Sequence, residues 1–123
     1  MPRKTKKGSQ ADWRKKAVKL AKKIAKERDN YVCQKCGKQV EGANAHGSHV
    51  WSEGAYIGLS ATVENIKCLC YSCHFNWWHK QPMEAKDWFC EKFPERHEYL
   101  LSIKNDHTKK DWQEVYNQLK ELA

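Results

Sequence analysis

Four cysteines fall in two pairs, Cys33-Gln34-Lys35-Cys36 and Cys70-Tyr71-Ser72-Cys73, and the segment between them carries His46, His49 and Asn65. His74 follows the last of these cysteines directly, and His79 stands five residues beyond it. A CxxC knuckle presents two soft thiolates from one turn, and tetrahedral Zn²⁺ takes four, so Cys33, Cys36, Cys70 and Cys73 predict a structural zinc site. The 33 residues between the pairs exceed what a minimal zinc ribbon needs, so the metal is expected to staple the two ends of a functional insert. That insert is rich in imidazole. Histidine titrates near ~6.5, so it can take a proton from water at neutral pH, and its neutral ring is a good ligand for a divalent cation. An activated water and a cation that stabilises charge on a phosphate and its leaving oxygen are the requirements of phosphodiester hydrolysis.

The elements that must position these groups belong to a short, basic chain. At 123 residues it is one small domain, or one with appended helices, and metal is expected to supply much of its stability. A mean hydropathy of −0.95 and 31% charged residues exclude a membrane protein, because no run approaches the roughly 20 apolar residues of a spanning helix. The N-terminus shows no signal peptide. Reduced, metal-bound thiols in a cytoplasm are therefore expected in preference to three disulfides. The net charge is +8, but residues 1–28 carry 12 cations against 2 acids, so the basic character belongs to the N-terminal arm. Such an arm is expected to bind polyanions by phosphate neutralisation.

In chain order, residues 1–10 have the composition of a disordered basic tail. Residues 11–29 lack Gly and Pro and repeat Trp13, Ala17, Leu20, Ala21 and Ile24 at helical spacing, which predicts an amphipathic helix docked on the zinc core. Arg14, Lys15, Lys19, Lys22, Lys23 and Lys26 would face nucleic acid. Residues 30–82 hold the metal-bound core: a short approach to the first knuckle, a histidine-bearing extended segment, a glycine-punctuated loop, a second extended segment through Asn65, and a helix from Tyr71 to Pro82. Residues 83–123 predict a helical extension, with helices over 82–93, 95–103 and 110–122. Met83, Trp88, Phe89 and Phe93 are the apolar members of the first of these. Cys68 and Cys90 read as free buried thiols, and His97 and His107 as surface residues.

The pattern AHGSHVWS, ENIKCLC and CYSCHFNWWHKQP, with His49, Asn65 and His74 in register between two CxxC pairs, resembles the HNH endonuclease family with the ββα-metal fold, in its zinc-knuckle, phage- and recombination-associated subgroup. The resemblance covers Tyr31 to Pro82. It implies an α+β, mostly helical protein whose zinc-stapled ββα-metal (His-Me finger) core is wrapped by N- and C-terminal helices. It also implies a metal-dependent DNA endonuclease, a divalent catalytic cation such as Mg²⁺ or Mn²⁺, and a DNA partner contacted further by Lys67 and Lys80. The chemistry assigns His49 as the base that activates water, Asn65 as the residue that orients it, and His74 as cation ligand with His46 or His79 beside it; imidazole ligands also admit Ni²⁺ or Zn²⁺. Ser48 stands where many family members place the first metal ligand, which brings His46 into consideration. A bacterial or phage-infected cytoplasm is the expected setting, and both monomer and homodimer remain open. The alternatives are a zinc-stabilised nucleic-acid-binding module that cuts nothing, and an interaction protein that docks through its C-terminal helices.

Overall fold

A computed structural model describes residues 9–123, so nearly all of the basic tail expected over residues 1–10 lies outside the described residues. Helix α1 (Gln10–Arg28) starts at a capping box. The Ser9 hydroxyl accepts the Asp12 N–H at 3.2 Å, and the Asp12 carboxylate accepts the Ser9 N–H at 3.3 Å, satisfying two donors that would otherwise be orphaned at a helix start. After α1, Asn30 and Tyr31 take left-handed backbone angles (φ 57° and 55°), turning the chain into the first knuckle.

Two four-residue strands follow, β1 (His46–His49) and β2 (Ile66–Leu69). They pair antiparallel with His46 opposite Leu69, Ser48 opposite Lys67 and His49 opposite Ile66. The far edge of β2 is closed by side chains. Arg28 donates to the carbonyls of Val63 (3.0 Å) and Ile66 (2.6 Å), Arg96 also donates to the Ile66 carbonyl (3.2 Å), and the Asp29 carboxylate accepts the Cys68 N–H (2.9 Å). These bonds fix β2 without a third strand. A π-helical turn (Cys73–Trp78) continues the ββα order, and three helices complete the chain: α2 (Pro82–Lys92), α3 (Pro94–Ile103) and α4 (Trp112–Leu122). Pro82 and Pro94 sit in the first turns of α2 and α3, where a missing N–H costs nothing. No helix among the described residues is long and apolar enough to cross a membrane.

Two apolar clusters result. One joins Cys33, Val40, Val50, Leu69, Cys70, Trp78, Phe89 and Leu100 around the knuckles. The other joins Ala17, Val18, Ala21 and Ala25 of α1 to Ile66, Trp112 and Leu119. Helix α1 docks on the strands of the zinc-bound core, as expected, and its small-residue stripe packs on α4 as well, because alanines admit the close approach of a second helix. Met83, expected among the apolar members of α2, is 83% exposed, and Cys90 is only half-buried.

Gly47 shows how tightly α1 crosses β1. A Cβ there would lie 2.8 Å from Cγ and 2.9 Å from Cβ of Lys22, atoms too near the helix backbone to swing aside, and 3.3 Å from Cγ2 of Ile66. Gly47→Ala should therefore destabilise the fold by about 1–3 kcal/mol through overpacking, read as a lower urea midpoint with an unchanged m-value.

Candidate active site

The knuckles bring four thiols together. The sulfur atoms of Cys33, Cys36, Cys70 and Cys73 all lie within 4.8 Å of one another, and Cys36 Sγ to Cys70 Sγ is 3.9 Å, close to the sulfur spacing of a tetrahedral zinc thiolate site. Each knuckle turns its own backbone toward sulfur: the Cys36 N–H points at Cys33 Sγ (3.5 Å) and the Cys73 N–H at Cys70 Sγ (3.4 Å). Gly37, at φ +80°, closes the first turn. Burial pushes the Cys33 thiol up, but backbone donors at Cys36, Cys70 and Lys35 outweigh it and leave the thiol at about 7, while burial and the neighbouring sulfurs push Cys73 far up. Crowded sulfurs resist joint ionisation unless a cation lies among them. The four residues thus fit a structural zinc ion.

His49 is half-buried on β1, and its Nε2–H donates to the Ser60 carbonyl at 2.8 Å. A carbonyl can only accept, so the neutral ring carries its lone pair on Nδ1. Burial lowers the His49 pKa, against the Ser60 carbonyl and the charge of Glu53, which act the other way. The ring is therefore neutral to lower pH than an ordinary histidine.

Asn65 is completely buried at the entry to β2. Its Oδ1 accepts the Trp51 N–H (2.9 Å), and its Nδ2 donates to the carbonyls of Trp51 (3.0 Å) and Leu59 (3.1 Å). The side chain does not touch His49. It closes the loop 51–59 instead, and so holds Ser60, the residue that fixes the His49 tautomer. Asn65→Ala would strand three buried backbone groups. It should cost about 3 kcal/mol in denaturant unfolding and loosen His49 as well.

The π-helical turn decides which histidines meet. Its i to i+5 pattern is marked by the His79 N–H donating to the His74 carbonyl at 3.2 Å. A regular α-helix would rotate residues five apart away from each other, whereas this widened turn stacks them on one face. His79 Nε2 lies 3.1 Å from His74 Nε2, and His74 Nδ1 lies 2.9 Å from His46 Nδ1. His46 Nε2–H donates to the Ala43 carbonyl at 2.9 Å, which leaves its Nδ1 as acceptor. The neutral chain is then ordered throughout: His74 donates from Nδ1 to His46 and accepts at Nε2 from His79. Burial and the neighbouring His79 and His46 push the His74 pKa down to about 3, so this ring is a neutral donor of lone pairs.

A cavity of about 510 Å³ gathers part of this set. His49, His74 and His79 line it together with Lys22, Glu53, Tyr56, Trp78 and Lys86; His46 does not. The two Nε2 atoms of His74 and His79, 3.1 Å apart, have the separation of adjacent ligands on one divalent ion, for which His79 would carry its proton on Nδ1 instead. His46, the other candidate ligand, meets the opposite nitrogen of His74, Nδ1, outside the cavity.

The expected nucleic-acid contacts divide. Lys22 lines the cavity, and an adjoining groove is formed by Arg14, Lys15, Val18, Lys19, Lys22 and Glu53, with Arg14 3.8 Å from the Glu53 carboxylate. Lys23 and Lys26 line a second depression with Lys16 and Tyr116, which shares Lys19 with that groove, and Lys80 is exposed outside the cavity. Lys67 is corrected outright. It is wholly buried, its Nζ donates to Ser48 Oγ at 2.9 Å and stands 3.2 Å from the centre of the Trp78 ring, so no phosphate can reach it. Its position opposite Ser48 makes it an internal tie between the hairpin and the π-helical turn, and burial holds its pKa well below the lysine range. Lys86 was not anticipated from the sequence. It reaches the cavity only because Pro82 starts α2 beside His79, and no residue pattern announces that.

Two short antiparallel strands, a histidine-bearing helical turn and a four-cysteine cluster that can hold zinc define a mostly helical protein in keeping with the ββα-metal class. Residues 33–76 match the family model of the HNH endonucleases. The match contains the four clustered cysteines, His46, His49, Asn65 and His74. No curated protein and no solved structure matches the chain.

Proposed function

We propose that this protein is a metal-dependent DNA endonuclease in which His49 activates the attacking water. The observation that carries the reading is one cavity lined by a tautomer-fixed histidine, a pair of convergent histidine nitrogens and two lysines. HNH domains act on nucleic acid, which supplies the substrate class.

In this reading the scissile phosphate enters between Lys22 and Lys86, whose charges offset its own. Neutral His49 takes a proton from water at Nδ1 while Nε2–H stays on the Ser60 carbonyl; the resulting imidazolium is stabilised by that carbonyl and by Glu53. The water oxygen bonds to phosphorus as the bond to the 3′-oxygen breaks, giving a 5′-phosphate and a 3′-oxyanion that takes a proton from solvent water while His49 returns its own to solvent. A divalent cation, Mg²⁺ or Mn²⁺ with Ni²⁺ or Zn²⁺ as further candidates, is held by His74 and His79 and when bound stabilises charge on the phosphate and the leaving oxygen. Asn65 is a positioning residue that acts through the loop ending at Ser60. The setting, phage or recombination DNA processing in a bacterial cytoplasm, is supported by the resemblance of the Cys33–His79 pattern.

The test is supercoiled plasmid incubated with zinc-loaded protein and each of these ions or EDTA. Relaxed circles with added ion and intact plasmid in EDTA are expected. Plasmid that is bound but uncut in every ion would replace this reading with a zinc-stabilised binding module.

A further inference from the structure

A second basic surface meets the cavity on the side of Tyr56. The loop after α3 and the loop 55–58 enclose a depression of about 250 Å³ whose lining includes Tyr56, Lys104, Asp106, His107, Lys109 and Lys110. Tyr56 lines both this depression and the catalytic cavity, so the two lie on either side of its ring. A chain of cations runs across the join. Lys86 of the cavity stands 4.0 Å from the centre of the Trp51 ring, and Lys104 of the depression stands 5.0 Å from the same ring and 5.7 Å from that of Tyr56. Trp51 and Tyr56 are in edge contact, 5.3 Å between centroids.

Acidic partners are few here: Asp106 lies near Lys110, and Lys86 and Lys104 face the Trp51 ring. Among the described residues, none of Lys86, Lys104, Lys109 and Lys110 forms a salt bridge. The one acidic group in the depression, Asp106, accepts the Thr108 N–H at 3.0 Å and offsets one of the three lysine charges there, which leaves the depression net basic. Lys86 and Lys104 repel each other across Trp51, and Lys86 is partly buried besides, so its pKa is lowered first by burial and then by Lys104. Charges gathered against their mutual repulsion are stabilised when an anion with repeated charge spans them.

We infer that the Lys104–Lys110 loop is a second DNA-backbone contact, carrying phosphates that flank the scissile one as the strand leaves the cavity past Tyr56. This rests on the nucleic-acid reading of the cavity. It extends the footprint from the α1 groove to the C-terminal part of the chain, which neither the HNH segment nor the basic arm contains. Phosphate contacts of this kind position the duplex without reading its sequence.

The experiment measures binding of the whole zinc-loaded chain to a fluorescent duplex of about 20 base pairs across roughly 50–250 mM salt. All proteins carry His49→Ala, so that binding is read without cleavage. Replacing Lys104, Lys109 and Lys110 together by Gln should lower the slope of log K against log salt by roughly 2–3, about 0.9 for each phosphate that is no longer neutralised. Replacing the same three by Arg should retain the slope, since the charge is kept. An unchanged slope in the Gln variant, or an equal drop in the Gln and Arg variants, would overturn the inference. The outcome is separate from the nuclease reading: a wild-type protein that fails to nick plasmid defeats that reading, while the salt slope alone decides whether the loop holds DNA.

Discussion

Cys70→Ser is expected to abolish the native fold at room temperature. Cys70 is buried, its sulfur lies 3.9 Å from that of Cys36, and its backbone carbonyl anchors the π-helical turn through the His74 N–H at 2.9 Å. Structural zinc sites contribute about 10–16 kcal/mol of apparent binding energy in small domains, more than the whole stability of an ordinary domain of this size. Serine offers zinc a poor ligand, and the three remaining thiols would hold the ion far less tightly. The first knuckle and the π-helical turn would then separate, and His74 would leave the cavity. Circular dichroism should show reduced helix content, and metal analysis less than one zinc per chain. Chelation of the wild type should give the same state, and added Zn²⁺ should restore it.

His74→Ala is expected to lower metal-dependent nicking by about 10²–10⁴-fold while leaving the zinc content and the fold intact. The reason is the position of the ring in the imidazole chain. His74 touches both of its neighbours, with His79 Nε2 at 3.1 Å and His46 Nδ1 at 2.9 Å, so its removal leaves no two nitrogens able to share a cation in the cavity. His79→Ala removes one ligand and should raise the Mg²⁺ or Mn²⁺ concentration for half-maximal rate. His46→Ala should act more mildly, about 10–100-fold in cation affinity, because His46 lies outside the cavity and works by orienting His74. Equal effects for all three would argue for direct ligation by His46 as well.

The zinc cluster was legible because ligand identity and spacing are written directly in Cys33, Cys36, Cys70 and Cys73. His49 was legible as a candidate base, but the sequence could not say that the Ser60 carbonyl fixes its tautomer. His79 was a candidate beside His74 from the sequence, but the turn that brings the two together was not legible. It depends on a single shift of backbone hydrogen bonding from i+4 to i+5, which helix propensities do not encode. Lys67 misled because a lysine reads as exposed; β2 is buried along its whole length, and a partner at Ser48 makes the exception tolerable. The α1 stripe gave the buried face through Ala17 and Ala21 and its docking on the core strands, but not α4 as a second partner, since periodicity says which side is covered and not by what. Arg28, Asp29 and Arg96 act through backbone atoms of β2, so their part is visible only after folding.

Whether His49 is the general base is decided by single-turnover nicking of supercoiled plasmid by wild type and His49→Ala, matched for zinc content, in the most effective divalent ion. The variant should bind plasmid as tightly as the wild type and cut it about 10²–10⁴-fold more slowly, the effect of removing a positioned general base. Equal cutting by the two proteins would contradict that role and remove His49 from the chemistry.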